Sequence, residues 1–192
     1  LTAFPESVQH YVGHEIPSDV LVDAFGICLD AEPTAFVVAL VDNQIAGYIF
    51  SPSKFSNVIA TAIWHGHLLR LLWHWISGKY QIGTHPVTVA IRNWLSFVYE
   101  SRERHFYSDA RILSIAVDPN FQGHGIGTGL VRCGLEYLKQ QGVPFVRLEV
   151  RPDNLSAIHL YEKFGFEKKG MTRDSQGTWL IMLKDMVESA SA

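Results

Sequence analysis

Cysteine is nearly missing from this chain: Cys28 and Cys133 are the two present among 192 residues. Two thiols make neither a disulfide framework nor a cysteine metal cluster, and their scarcity suits a reducing, cytoplasmic setting. An excess of positive charge is also lacking, because 16 lysines and arginines stand against 19 acidic residues for a formal net charge of -3. Without a broad basic field, nucleic acid is not an expected partner. No signal peptide, internal repeat, low-complexity tract or linker stands out, so one domain over residues 1–192 is the simplest division. What the chain does hold is ordinary for a globular protein, with 47% hydrophobic and 18% charged residues.

The most informative stretch runs from Ile112 to Leu130, where a strand pattern passes through Gln122-Gly123-His124-Gly125-Ile126-Gly127-Thr128-Gly129 into a helix. The first turn of a helix leaves backbone N–H groups unpaired at the positive end of the macrodipole, which suits a phosphate. Glycines there remove the side chains that would hold a pyrophosphate away from those amides. Spacing excludes two other phosphate motifs. A dinucleotide fingerprint begun at Gly123 needs glycine where Thr128 stands, one begun at Gly125 needs it at Leu130, and no Gly-Lys-Ser/Thr follows for a P-loop.

The surrounding pattern is coarse but ordered. Residues 1–34 read as largely helical, with breaks at Pro5 and Pro17 and a helix over about 20–30 capped by Ser18-Asp19. Apolar runs 35–41 and 45–51 around Asp42-Asn43-Gln44 read as a hairpin. A long apolar helical segment from Phe55 to Ser77 and a second helix from Val87 to Ser101 follow. From Arg111 the chain alternates: strand 111–117, helix about 126–141, strand 145–150, helix about 154–164, then strands near 166–170 and 178–184. Such alternation predicts an α/β layer arrangement with helices on a mixed sheet.

Gln122-x-x-Gly125-x-Gly127 resembles the acetyl-CoA pyrophosphate loop of the GCN5-related N-acetyltransferases. The run Leu148-Glu149-Val150-Arg151-Pro152-Asp153-Asn154 through Leu160-Tyr161 to Phe166 resembles the second half of that family's core, in the family's order. Its Leu-Glu-Val-Arg stretch is similar to that of the ribosomal-protein N-terminal acetyltransferases. The resemblance implies a mixed, mostly antiparallel sheet flanked by helices, with a helical insertion at about 52–105 and without the family's first strand. It covers 110–184 best, extends to 20–51 and gives nothing for 52–105.

It also implies a chemistry. An amine attacks the thioester of acetyl-CoA directly, with no covalent enzyme intermediate and no metal. The pyrophosphate would lie on the amides of Gln122, Gly123, His124, Gly125, Ile126 and Gly127, with the Thr128 hydroxyl nearby. The pantetheine arm would run along Ile115, Ala116 and Val117 as a false strand, with a backbone N–H near Val117 polarising the carbonyl. Asn154 would cap the following helix and contact pantetheine. Tyr161 is the candidate acid for the leaving thiolate, against a reading in which it simply packs on Phe164 and Phe166. Glu149 is the candidate base, against an ion pair with Arg147 or Arg151, or a water relay from Glu100, Glu103 or a histidine.

The insertion is judged on its physics alone. His65, His67 and His74 have no Cys, Asp or Glu among them in sequence, so no metal site is expected. Val58 to Ile76 nearly has the length of a bilayer span, yet Arg70 and the histidines argue against a transmembrane helix and leave an interfacial helix as the less expected alternative. The two helices are expected to pack beside the cofactor cleft, to place Trp64, His65 or His67 near the acceptor entrance, and to offer a homodimer contact. The acceptor expected is a primary amine of a small molecule such as an amino sugar or aminoglycoside. A peptide N-terminus is the alternative, and a non-catalytic acyl-CoA sensor is the alternative of another class.

Overall fold

A computed structural model describes residues 18–77, 108–174 and 177–187. The expected helix 87–101, with Glu100 and Glu103, lies outside the described residues, as do the breaks at Pro5 and Pro17.

Helix α1 (Ser18–Ala31) leads through a short turn of 3-10 helix into the hairpin of β1 (Phe36–Val41) and β2 (Gln44–Phe50). Asp42 and Asn43 carry φ of 48° and 62°, the left-handed pair that a two-residue hairpin turn requires. Helices α2 (Phe55–Trp64) and α3 (His67–Ile76) follow. The single helix expected over 55–77 is therefore two. The break is at His65-Gly66, where Gly66 takes φ of 72° and ends the first helix, while the apolar pattern runs through it.

Strands β3 (Arg111–Ile112) and β4 (Ser114–Val117) lead into α4 (Ile126–Gln140). Then come β5 (Phe145–Val150), α5 (Leu155–Lys163) and the hairpin of β6 (Glu167–Asp174) and β7 (Gly177–Asp185). One expected strand, 111–117, is split at Leu113 because it serves two partners. β3 runs parallel to β5, whereas β4 runs antiparallel to β2. The strand orders are β1-β2-β4 and β3-β5-β7-β6, and every pairing except β3 with β5 is antiparallel. Among the described residues β1 has no strand on its outer edge. The strand pairings are thus the mixed, mostly antiparallel arrangement flanked by helices that the resemblance implies.

The core lies between the sheet and helices α4 and α5. Leu130, Val131, Leu135 and Leu138 of α4 meet Ile49, Val146, Leu148, Val150 and Met182, joined by Ile158 and Tyr161 of α5. These α4 positions recur at helical spacing, so one face of the helix is the buried one. Gly134 belongs to that face for a steric reason: an added Cβ would stand 2.9 Å from Ile49 Cδ1 and 3.0 Å from Ser51 Oγ. α1 packs against α2 and α3. Asp23 of α1 is buried and paired with Arg70 and with His74 Nδ1 at 3.0 Å, which pins α3 in place. No helix among the described residues is long and apolar enough to cross a membrane.

Candidate active site

Site geometry begins at the glycine loop. Asp118 accepts a hydrogen bond from the Asn120 amide at 2.8 Å and starts a 3-10 turn over Pro119–Phe121. Gly123 and Gly125 then take φ of 78° and 80°, conformations that L side chains rarely adopt, and Gly125 becomes the N-cap of α4. The first α4 amide paired along the helix is Gly129, on the Gly125 carbonyl at 3.0 Å. The amides of Gly123 to Thr128 therefore donate to no backbone acceptor among the described residues. A row of unpaired N–H groups at a helix N-terminus is an anion cradle.

A cleft of about 980 Å³ opens beside this row. Ile115, Ala116, Val117, Gln122, Gly123, Gly125, Ile126, Gly127, Thr128, Asn154 and Tyr161 all line it. The ring of His124 does not, because its Nδ1 is held 2.9 Å from the Gln122 carbonyl oxygen. Sequence reasoning missed Phe121, Asp153, Ser156, His159, Leu160 and Lys163, which also line the cleft. Ser156, His159, Leu160 and Lys163 fall on one face of α5 at spacings of three and four, a signal the sequence did carry.

The far wall is the open edge of β4. The Asp118 amide donates to Ala46 at 2.9 Å, and in antiparallel pairing the hydrogen-bonded positions alternate. Gly47↔Val117 and Ile49↔Ile115 are then the positions whose N–H and C=O groups point away from β2, toward the gap where β4 leaves β5. The irregularity sits at Leu113, upstream of Val117: the Leu113 amide donates to Phe50 at 3.0 Å although the register pairs Phe50 with Ser114. At this residue the chain passes from its parallel partner β5 to its antiparallel partner β2.

A second cavity of about 260 Å³ fills the gap between β4 and β5. Ile115, Asn154, Ala157 and Tyr161 line both cavities, so the two meet at these residues. Glu149 and Trp179 belong to the second cavity alone. On β5, Leu148 and Val150 are buried and Glu149 faces the other way, with a side chain 34% exposed. It pairs with the buried guanidinium of Arg147, so the competing ion-pair reading is realised along with the cavity position. Trp179, missed in the sequence, is covered by the Arg151 guanidinium 3.8 Å from its ring centroid.

Tyr161 is 6% exposed and meets Phe166 edge-on, with centroids 5.8 Å apart. Packing and a place at the junction of both cavities are compatible here. Asn154 caps α5, its Oδ1 accepting from the Ala157 amide at 3.1 Å.

Trp64, His65 and His67 line neither of these two cavities. The insertion departs from expectation in one way: an acidic group does accompany the histidines, because α1 brings Asp30 to within 2.9 Å of His67 Nε2. This follows from packing α2 and α3 on α1, a contact distant in sequence.

A family model for the acetyltransferase (GNAT) family matches residues 3–166. The mycothiol acetyltransferase of Brachybacterium faecium is 42% identical over 92 residues, 46% of this chain and 27% of that one. The ribosomal protein bS18 alanine N-acetyltransferase of Escherichia coli is 39% identical over 66 residues, 34% of this chain and 45% of that one. The chain thus spans less than half the length of these curated relatives. The crystal structure of a ribosomal-protein-alanine N-acetyltransferase from Brucella melitensis shares the fold at a TM-score of 0.60, with 14% identity over 96% of this chain and 91% of that one. With the family match running over most of its length, the chain belongs to the acetyltransferase (GNAT) family.

Proposed function

We propose that the chain transfers acetyl from acetyl-CoA to a primary amine of a small molecule of the amino sugar or aminoglycoside kind. The observation that carries this reading is the row of unpaired amides from Gly123 to Thr128 at the head of a cleft that continues along the open edge of β4. An anion with an extended arm fits both parts. A Cβ added at Gly127 would stand 3.5 Å from Leu160 and 3.7 Å from Val117, so the glycine keeps the passage between loop and strand open.

Acetyl-CoA supplies an activated acyl group, and the chain's residues bind, orient and move protons. The loop amides hold the pyrophosphate, and the outward groups of Ile115 and Val117 hold the arm in extended form. The Val117 amide is aimed at the charge that develops on the thioester oxygen. As the C–S bond breaks, Tyr161 gives its phenolic proton to the departing thiolate and regains one from the second proton that the acylated nitrogen loses, a role suited to a group with an ordinary pKa of about 10. Glu149 accepts the proton of the incoming ammonium, directly or through water, from the side of the second cavity.

The small-molecule acceptor is supported by the second cavity beside Glu149 and by the relative named a mycothiol acetyltransferase. A peptide N-terminus is the second reading, supported by Leu148-Glu149-Val150-Arg151 and the bS18-acetylating relative. The cytoplasmic setting rests on the two free cysteines, Cys28 and Cys133. A contact with a second copy would draw on the exposed Trp64, Leu69 and Trp73, and light scattering of the purified chain tests it.

The experiment is release of free thiol from acetyl-CoA against a panel of amino sugars, aminoglycosides and peptides with free N-termini. Release that depends on an amino sugar or aminoglycoside supports the first reading, and release with peptides alone moves the assignment to the second. No release with any amine, together with CoA binding, would make the chain a sensor.

A further inference from the structure

Away from the cleft, three side-chain donors converge on the elbow between α2 and α3. One ring nitrogen each of His65 and His67 and a carboxylate oxygen of Asp30 all lie within 4.8 Å of one another. Gly66, in its left-handed conformation, makes the elbow, and Asp30 comes from the last turn of α1. The two imidazole centroids are 6.2 Å apart. His67 is 8% exposed, and its Nε2 is buried without a hydrogen bond of good geometry although Asp30 Oδ2 is 2.9 Å away. A buried ring nitrogen left in that state costs free energy that a ligand at this point would recover.

We propose that Asp30, His65 and His67 bind a divalent transition metal of the zinc class. Two imidazoles and one carboxylate suit zinc, nickel, cobalt or copper, and suit magnesium or calcium poorly. Zinc bonds to these donors measure about 2.0–2.2 Å in tetrahedral geometry, which sets donors roughly 3.4 Å apart. The Asp30–His67 pair, at 2.9 Å, must therefore open by about 0.5 Å, and exposed His65, within 4.8 Å of the others, has the room to draw in by up to about 1.4 Å. Three protein ligands leave a fourth position to water, the open arrangement of exchangeable sites. The metal would staple α1 to the elbow, beside the Asp23 pairs to Arg70 and His74 that pin the same helices. This inference stands apart from the acetyltransferase reading and uses none of its residues.

Calorimetric titration of the chelator-treated chain with zinc chloride tests it, with magnesium chloride as the control. The expected result is one zinc per chain and no uptake of magnesium. His65→Ala removes an exposed ligand without touching the core and should weaken zinc binding by about tenfold or more. Asp30→Asn, also exposed, should do the same while keeping the shape of the side chain. Absence of zinc binding to the parent would overturn the proposal. So would undiminished binding in both variants, which would place the metal elsewhere on the surface.

Discussion

Gln122 donates from Nε2 to the main-chain carbonyl of Val117 at 3.4 Å, tying the glycine loop to the open edge of β4. Loop and strand edge are therefore one unit, and what obstructs the first displaces a ligand lying along the second. Gly127 is the place to test this, because its φ lies outside the left-handed region and a side chain there strains no backbone. Gly127→Val should leave the melting temperature near the parent's and weaken CoA binding by about tenfold or more, the equivalent of roughly 1.4 kcal/mol. Calorimetry with CoA reads it, and unchanged affinity would mean the pyrophosphate lies elsewhere.

Tyr161→Phe keeps the ring against Phe166 and removes only the proton. Turnover should fall by about 10²–10⁴-fold with little change in KM for acetyl-CoA, as expected for a group used only in the transition state. Steady-state kinetics of thiol release separates the two. An unaffected rate would return Tyr161 to a packing role.

Glu149→Gln should lower the rate most at low pH, where the acceptor is an ammonium and must lose its proton inside the site. Raising the pH should partly restore the variant. Because the buried Arg147 loses its ion pair with Glu149, melting is followed beside the pH–rate profile. A profile parallel to the parent's in a folded variant would assign the base to another group or to a water chain.

Much of this was legible in advance. The hairpin 36–50 announced itself through two apolar runs around Asp42-Asn43, and the loop-to-helix passage through its glycines. Gly66 was not read as a helix end, because Val58 to Ile76 stays apolar across it and only the backbone conformation reveals the elbow. Leu113 was no more legible, since a change of strand partner leaves no mark on the side-chain pattern. Asp30 lies 35 positions before His65, so its approach follows from helix packing and not from spacing. The cleft face of α5 is different: Ser156, His159, Leu160 and Lys163 could have been found by applying helical periodicity after the Asn154 cap.

Two partly buried acids, Cys28 and Tyr48, favour their neutral form and so contribute a loss of stability at alkaline pH. Burial pushes the Cys28 thiol up from 9.0 to about 11, and raises the Tyr48 phenol above its ordinary value. Groups with a raised folded-state pKa give stability that is full below the unfolded value and lost as pH climbs through the folded one. For Cys28 the window runs from about 9 to about 11. Melting temperature should therefore fall across that window, and Cys28→Ala should flatten the fall. A slope unchanged by the substitution would assign the alkaline loss to other groups.

The most direct test of the account is a titration of isotope-labelled protein with CoA, followed by the backbone amide resonances. The amides of Gly123 to Thr128 and those of Ile115 and Val117 should move together and most strongly, and dithiothreitol, which carries the thiol without the phosphates, should leave them in place. Shifts confined to other elements, with the loop amides unmoved at saturating CoA, would contradict the assignment of this loop as the pyrophosphate cradle.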